Sequence, residues 1–298
     1  AHMEQERIAV IGAGPAGLSA AITAAVRQKD VWLFGNRDMS EKLQKAAEIR
    51  NYPGFPSVDG TALQNRFRQH LASLGAVIRQ ERVSGVYPDG SGFRLQTSGG
   101  EYNAGAVILA GGVSAERQLP GEKELLGRGV SYCATCDAFF VRGKTAAVIG
   151  RSEFSADEAL FLAESAASVL YFPVQPHTLP IHERIDVIPE QPLAVSDGEA
   201  GRGVQTDHAF YRADLIFILH ETVKPELLVP AIRTDGAHVA VDAQMQTSIP
   251  GCFACGDITG TPYQLPRAVG QGNIAALSAV RYLAQLKRAR THGENRQP

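Results

Sequence analysis

The sequence predicts an α/β protein built from two Rossmann-like nucleotide-binding folds. Three observations carry that expectation. The run Ile8-Ala9-Val10-Ile11 is short, apolar and β-rich, as a strand buried in a parallel sheet should be. It leads into the glycine pattern Gly12-x-Gly14-x-x-Gly17, then a helical stretch and a second strand, Val31-Trp32-Leu33-Phe34. A similar unit recurs later, with the strand Thr145–Gly150, a helix over about Ser155–Ala167 and the strand Ser168–Phe172.

The remaining elements follow in chain order. The Ala-rich stretch Leu18–Arg27 reads as the first helix. Residues 35–60 are loop-rich and include Asn51-Tyr52-Pro53-Gly54. Thr61–Leu74 has the pattern of an amphipathic helix. Val77–Arg79 and two hairpin-like runs, Gly92–Thr97 and Glu101–Asn103, come next. Ala106–Leu109 is a buried strand ending in Ala110-Gly111-Gly112, small residues that let a ligand approach the backbone. Gly251–Asp257 reads as a strand entering a Gly256-Asp257 turn, and Gly272–Arg288 as the final helix.

Composition removes several classes. The chain has 298 residues, 44% of them hydrophobic, and 29 Lys+Arg against 31 Asp+Glu give a formal net charge of -2. That is too apolar and too neutral for a disordered chain. It offers no electrostatic case for nucleic acid. No run approaches the length of a membrane helix. Four cysteines are too sparse for a disulfide-stapled scaffold. Ala1-His2-Met3 reads as an expression scar, and with a strand beginning near Arg7 the expected compartment is the cytoplasm.

The glycine pattern has a physical role. Gly12 permits the tight turn, Gly14 lets backbone approach a pyrophosphate, and Gly17 lets helix and strand pack closely. With Pro15 and Ala16 it opens the helix whose N-terminal N–H groups would face the phosphates. The acidic residue expected about 20 positions on for NAD is missing, because Phe34-Gly35-Asn36 ends the second strand; FAD is the better candidate.

Cys133-Ala134-Thr135-Cys136-Asp137 is the second strong motif. A C-x-x-C spacing lets two sulfurs approach bonding distance, and a helix start lowers a thiol pKa. Asp137 would shuttle a proton. A zinc site with Cys252 and Cys255 is the competing arrangement. Those two lie three apart on a predicted strand and face opposite sides, so they read as small core residues and no metal is expected.

GAGPAG, an ILAGG strand end, CATCD, a second βαβ unit, FACGD and a G-Q-G helix start, in that order, resemble the low-molecular-weight thioredoxin reductases. The resemblance spans almost the whole chain. It implies the flavoprotein disulfide reductase architecture, with the second nucleotide-binding domain inserted into the first. The FAD domain would comprise 4–113 and 246–298, around a central redox-disulfide domain at 114–245. It implies a homodimer, with FAD over a Cys133–Cys136 disulfide. Asp137 would be the proton donor and acceptor. The FAD contacts would be Gly12, Gly14, Pro15, Ala16, Gly17, Asn51, Ala110, Gly111, Gly112, Gly256, Asp257 and Gln264, with Asp257 on the ribityl chain.

The pattern breaks where that family binds NADPH. A G-x-G-x-x-A loop and an arginine cluster are expected, but the chain has Gly150-Arg151-Ser152-Glu153-Phe154-Ser155 and then Tyr171-Phe172-Pro173-Val174-Gln175-Pro176-His177. Glu153 and Asp157 put negative charge where phosphate would sit. Each charge-assisted bond lost from a 2′-phosphate is worth roughly 1.5–3 kcal/mol. Two flavin-side motifs also differ, as Ser40-Glu41-Lys42 and Tyr263-Gln264.

The chain therefore resembles the ferredoxin-dependent flavin thioredoxin reductases of some cyanobacteria and clostridia. The partners implied are ferredoxin and thioredoxin. Ferredoxins of this type are acidic, and Lys287, Arg288, Arg290 and Arg296 against Glu294 make the terminal segment basic. His292 is the ring available there to stack on a flavin. Three alternatives stay open: a disulfide oxidoreductase with a second flavin or other ligand in the vacated pocket, an NADPH-dependent enzyme with unusual contacts, and a non-catalytic flavin redox sensor.

Overall fold

A computed structural model describes residues 6–36, 39–44, 46–90, 92–113, 118–151, 154–174, 179–220 and 223–294, without the side chains of 41, 42, 136 and 292–294. The chain forms two units: Ala1–Val113 with Lys224–Pro298, and Ser114–Val223.

In the first unit, five parallel strands lie in the order Cys252–Ala254, Ala106–Leu109, Ile8–Ile11, Val31–Phe34, Ile78–Arg79. Ile8–Ile11 and Ala106–Leu109 are buried along their whole length, which is why both read as unbroken apolar runs. The helix Pro15–Val26 crosses from the first strand to the second. The C-terminal helix Leu265–Glu294 packs on it: Ser19 Oγ donates to the Val269 carbonyl at 2.7 Å and Asn273 Nδ2 to Thr23 Oγ1 at 3.1 Å. Ala20, Ala24, Ala275 and Ala279 join the core under this contact. The helix Gly60–Ser73 is capped by Asp59, whose Oδ1 accepts from Ala62 N at 2.8 Å. The hairpin region is a three-stranded antiparallel sheet, Val83–Asp89, Gly92–Thr97 and Gly100–Ala104.

The second unit repeats the theme. Its parallel sheet runs Ile185–Val187, Ser168–Pro173, Thr145–Gly150, Leu215–Leu219, Val130–Ser131. The helix Ser155–Ala163 crosses from Thr145–Gly150 to Ser168–Pro173. An antiparallel sheet of Pro192–Gly198, Gly201–Thr206 and Phe210–Arg212 completes it.

The central segment ends earlier than expected. Residues 224–245 belong with the first unit, where Met245 enters the main core and Val241 packs on it. Among the described residues, no helix is long and apolar enough to cross a membrane.

Candidate active site

In the first unit, strand order reverses between Ile8–Ile11 and Ala106–Leu109, and the segments leaving those two strands meet there. Gly12 has φ 111° and donates its N–H to the Phe34 carbonyl at 2.8 Å. A Cβ on Gly12 would collide with the Ala110 carbonyl, and one on Gly17 with the Gly12 carbonyl. Gly14 differs: it caps the first helix in extended conformation, and its Cβ position faces open space. Gly111 and Gly112 face open space as well. Pro15 occupies the first turn, where its missing N–H costs nothing, and no acidic residue lies in that turn. These residues fit a dinucleotide, with open small-residue floors beside helix N–H donors.

The Gly256-Asp257 turn closes on the same loop, since a Cβ on Gly256 would come within 2.7 Å of the Ala16 methyl. Asp257 begins a short 3₁₀ turn, Asp257–Thr259. Two residues that sequence reasoning passed over brace it. Gln271 Oε1 accepts from Gly256 N at 2.9 Å and from Thr259 Oγ1 at 3.1 Å. Arg267 donates to the Gly260 carbonyl at 2.7 Å and to Thr259 Oγ1 at 3.1 Å. The one sequence signal was the G-Q-G pattern itself. Asn51 Nδ2 donates to Gln264 Oε1 at 3.0 Å, joining two expected flavin contacts far apart in sequence. Beside it, His238 Nε2 and the Tyr263 hydroxyl are 2.7 Å apart.

In the second unit, the strand Val130–Ser131 delivers the cysteine motif. Cys133 is half-buried and disulfide-bonded, just before the helical turn Ala134–Asp137. Ser131 Oγ fixes the approach, accepting from Cys133 N at 3.1 Å and donating to the Cys133 carbonyl at 3.2 Å. Ala134 anchors the turn in the core. Asp137 is half-buried at its end. After Ala138, Phe139 and Phe140 are 75% and 56% exposed and stack edge to face at 6.0 Å.

Cys252 and Cys255 are free and fully buried, Cys255 within the main core. Burial pushes both thiols up to about 12, so they stay protonated near neutrality. Among the described residues no group of His, Cys, Asp and Glu is arranged to hold a metal ion.

At the matching switch point of the second unit, Arg151 follows Thr145–Gly150 and is buried. A Cβ on Gly150 would come within 2.7 Å of the buried Tyr171 hydroxyl. Asp157 and Glu158 occupy the first turn of Ser155–Ala163. The expectations for Ser152, Glu153, Gln175, Pro176, His177 and Arg296, and for the side chains of Glu41, Lys42, Cys136 and His292, lie outside the described residues. Of the basic terminal residues, Lys287 binds Glu6 at 2.6 Å.

Residues 6–192 match the pyridine nucleotide-disulphide oxidoreductase family. The chain belongs to that family. Among relatives of this disulphide oxidoreductase is the thioredoxin reductase of Bacillus subtilis, 30% identical over 96% of this chain and 98% of the relative. Two solved structures of a ferredoxin-flavin thioredoxin reductase from Clostridium acetobutylicum are 43% and 39% identical. Their TM-scores are 0.81 and 0.89, and each match covers 94% of this chain and 99% of the other. This disulphide oxidoreductase is a homologue of thioredoxin reductases, an oxidoreductase of the thioredoxin-disulfide type, and its cofactor is FAD.

Proposed function

We propose that the protein passes electrons from reduced ferredoxin through FAD to a Cys133–Cys136 disulfide and on to thioredoxin. The observation that carries the choice of donor is the second switch point. An NADPH phosphate there would face a helix whose first turn carries Asp157 and Glu158. The strand Ser168–Pro173 is followed in sequence by Val174-Gln175-Pro176-His177, with no guanidinium to grip a 2′-phosphate. The likeness to the Clostridium structures supports the same donor.

Bound FAD supplies the exchange between one-electron and two-electron carriers. The small-residue floors at Gly14, Gly111 and Gly112 would hold its pyrophosphate, with Asn51 and Gln264 as further contacts. Asp257 in its braced turn would bind the ribityl chain. Two reduced ferredoxins give one electron each, and two protons complete reduction of the cysteine pair. Asp137, at the end of the cysteine turn, is the group that exchanges a proton with it. One thiolate then attacks a thioredoxin disulfide to form a mixed disulfide. The second displaces it, releasing dithiol thioredoxin and re-forming the Cys133–Cys136 bond. The assembly proposed is a homodimer and the compartment the cytoplasm.

The test is anaerobic thioredoxin reduction with ferredoxin and NADPH compared in parallel. Turnover is expected with ferredoxin alone. Rapid bleaching of the flavin band by NADPH would overturn the proposed donor.

A further inference from the structure

One buried charge in the second unit has no part in the chemistry described so far. Glu122 is fully buried, and its carboxylate is shared three ways. Oε2 accepts from the Leu119 backbone N at 2.8 Å. Oε1 accepts from the Tyr132 hydroxyl at 2.7 Å and lies 2.9 Å from His220 Nε2. Gln118 Nε2 donates to the same Tyr132 hydroxyl at 3.3 Å, and the Tyr132 and His220 rings meet edge to face at 5.0 Å. A buried carboxylate is costly unless fully paired, so a site this well supplied with donors has been built around it.

The partners come from three places along the chain. The second unit begins at Ser114 and ends at Val223. Gln118, Leu119 and Glu122 therefore lie just after the point where the chain comes into this unit, and His220 just before it leaves. Tyr132 is the residue immediately before Cys133. Ser131, on its other side, already clasps the Cys133 backbone.

We propose that Glu122 is a positioning residue for the redox cysteines. Its buried carboxylate ties the two ends of the second unit to each other and to Tyr132, and so fixes the turn on which Cys133 stands. The inference rests on the proposed reading of the Cys133 disulfide as the redox-active one. Closing a disulfide depends on the effective concentration of one thiol at the other, which a fixed turn raises. Loosening the tether shifts the equilibrium toward the dithiol.

The experiment compares the FAD-loaded full chain with Glu122→Gln, Tyr132→Phe and the double variant. Each is equilibrated anaerobically with dithiothreitol, which gives two electrons and two protons to the disulfide as it cyclises. The oxidised fraction is read by acid quench, alkylation and mass. Each single variant is expected to shift the equilibrium about tenfold toward the dithiol, or ~30 mV for a two-electron couple. The double variant is expected to shift it no further, because both changes break the same tether.

Glu122→Gln and Tyr132→Phe equilibria within twofold of the parent would overturn the proposal, even with a lowered melting temperature, since that marks a purely structural role. So would a shift in Glu122→Gln that Tyr132→Phe does not share, or two independent, additive shifts. Parent turnover of thioredoxin, measured alongside, tests the functional reading separately.

Discussion

Cys252 and Cys255 share the C-x-x-C spacing of Cys133 and Cys136, yet their surroundings set them apart. They are sealed in a core that holds them as neutral thiols, whereas Cys133 is half-buried and already oxidised. Spacing alone is a weak signal; the strand context of the first pair and the helix start of the second separated them in the sequence. Glu122 is the opposite case, a charge retained in the interior. Burial raises the pKa of its carboxyl, but bonds from His220, Tyr132 and the Leu119 N–H together outweigh it and hold the value at about 2, against 4.5 unperturbed. A depressed carboxylate contributes stability above its unfolded pKa and loses it as pH falls through the folded one. Unfolding free energy should therefore fall between about pH 4.5 and pH 2, with Glu122 supplying up to ~3 kcal/mol of the change. Urea titrations at pH 3 and pH 6 check this: Glu122→Gln should be less stable at pH 6 and differ less from the parent at pH 3.

At the scale of elements, the strands marked in the sequence fall close to their observed bounds, but Val83–Asp89, Pro192–Gly198, Gly201–Thr206 and Leu215–Leu219 went unmarked, and helix ends were misplaced. The first helix begins at Pro15 rather than Leu18, because the glycine pattern hides a first turn that needs no side chains. The last begins at Leu265 rather than Gly272. The G-Q-G pattern reads as a helix start, but it lies inside the helix, and Gly272 is a packing residue, since a Cβ there would strike the Ala16 carbonyl of the first helix. The helix Ser155–Ala163 stops short of the expected Ala167, and Ala166 instead bridges to Arg142. The glycines also yield a prediction that separates fold from ligand. Gly17→Ala places a methyl on backbone and should destabilise the unit by several kcal/mol. Gly14→Val points into open space, and the apoprotein should lose no more than about 1 kcal/mol. The flavin should nevertheless be lost, because the added side chain fills the floor proposed for the pyrophosphate. Thermal melting of the apoprotein and extracted flavin per chain decide the matter: equal flavin in Gly14→Val and the parent would show that the cofactor lies elsewhere.

For the whole molecule, what was legible was what is local in sequence. The glycine loop and the CATCD turn each gather their residues within a few positions. The braces on the Asp257 turn and the Glu122 tether do not: Gln271 reaches back to Gly256, and His220 meets a carboxylate 98 positions earlier. The second contact leaves no periodicity or motif in one sequence, and the G-Q-G pattern marks Gln271 without naming its partner. The boundary at 224 was missed for the same reason, since Met245 declares its allegiance only through packing. Phe139 and Phe140 combine both kinds of information. Their position just beyond the cysteine motif, past Ala138, is visible in the sequence, but their exposure is not. Two adjacent aromatic rings held out in solvent beside a disulfide are a surface that gains by being covered. On the proposed reading, thioredoxin covers them as its disulfide approaches. Replacing both with alanine should leave stability and flavin content almost unchanged, because neither ring is in the core. KM for thioredoxin should rise about tenfold, equivalent to ~1.4 kcal/mol of docking energy, with kcat little altered. Reduction of a small aromatic disulfide, which needs the cysteines but no docking surface, should keep the parent rate. If both substrates slow together, the phenylalanines support the turn itself and the docking surface lies elsewhere.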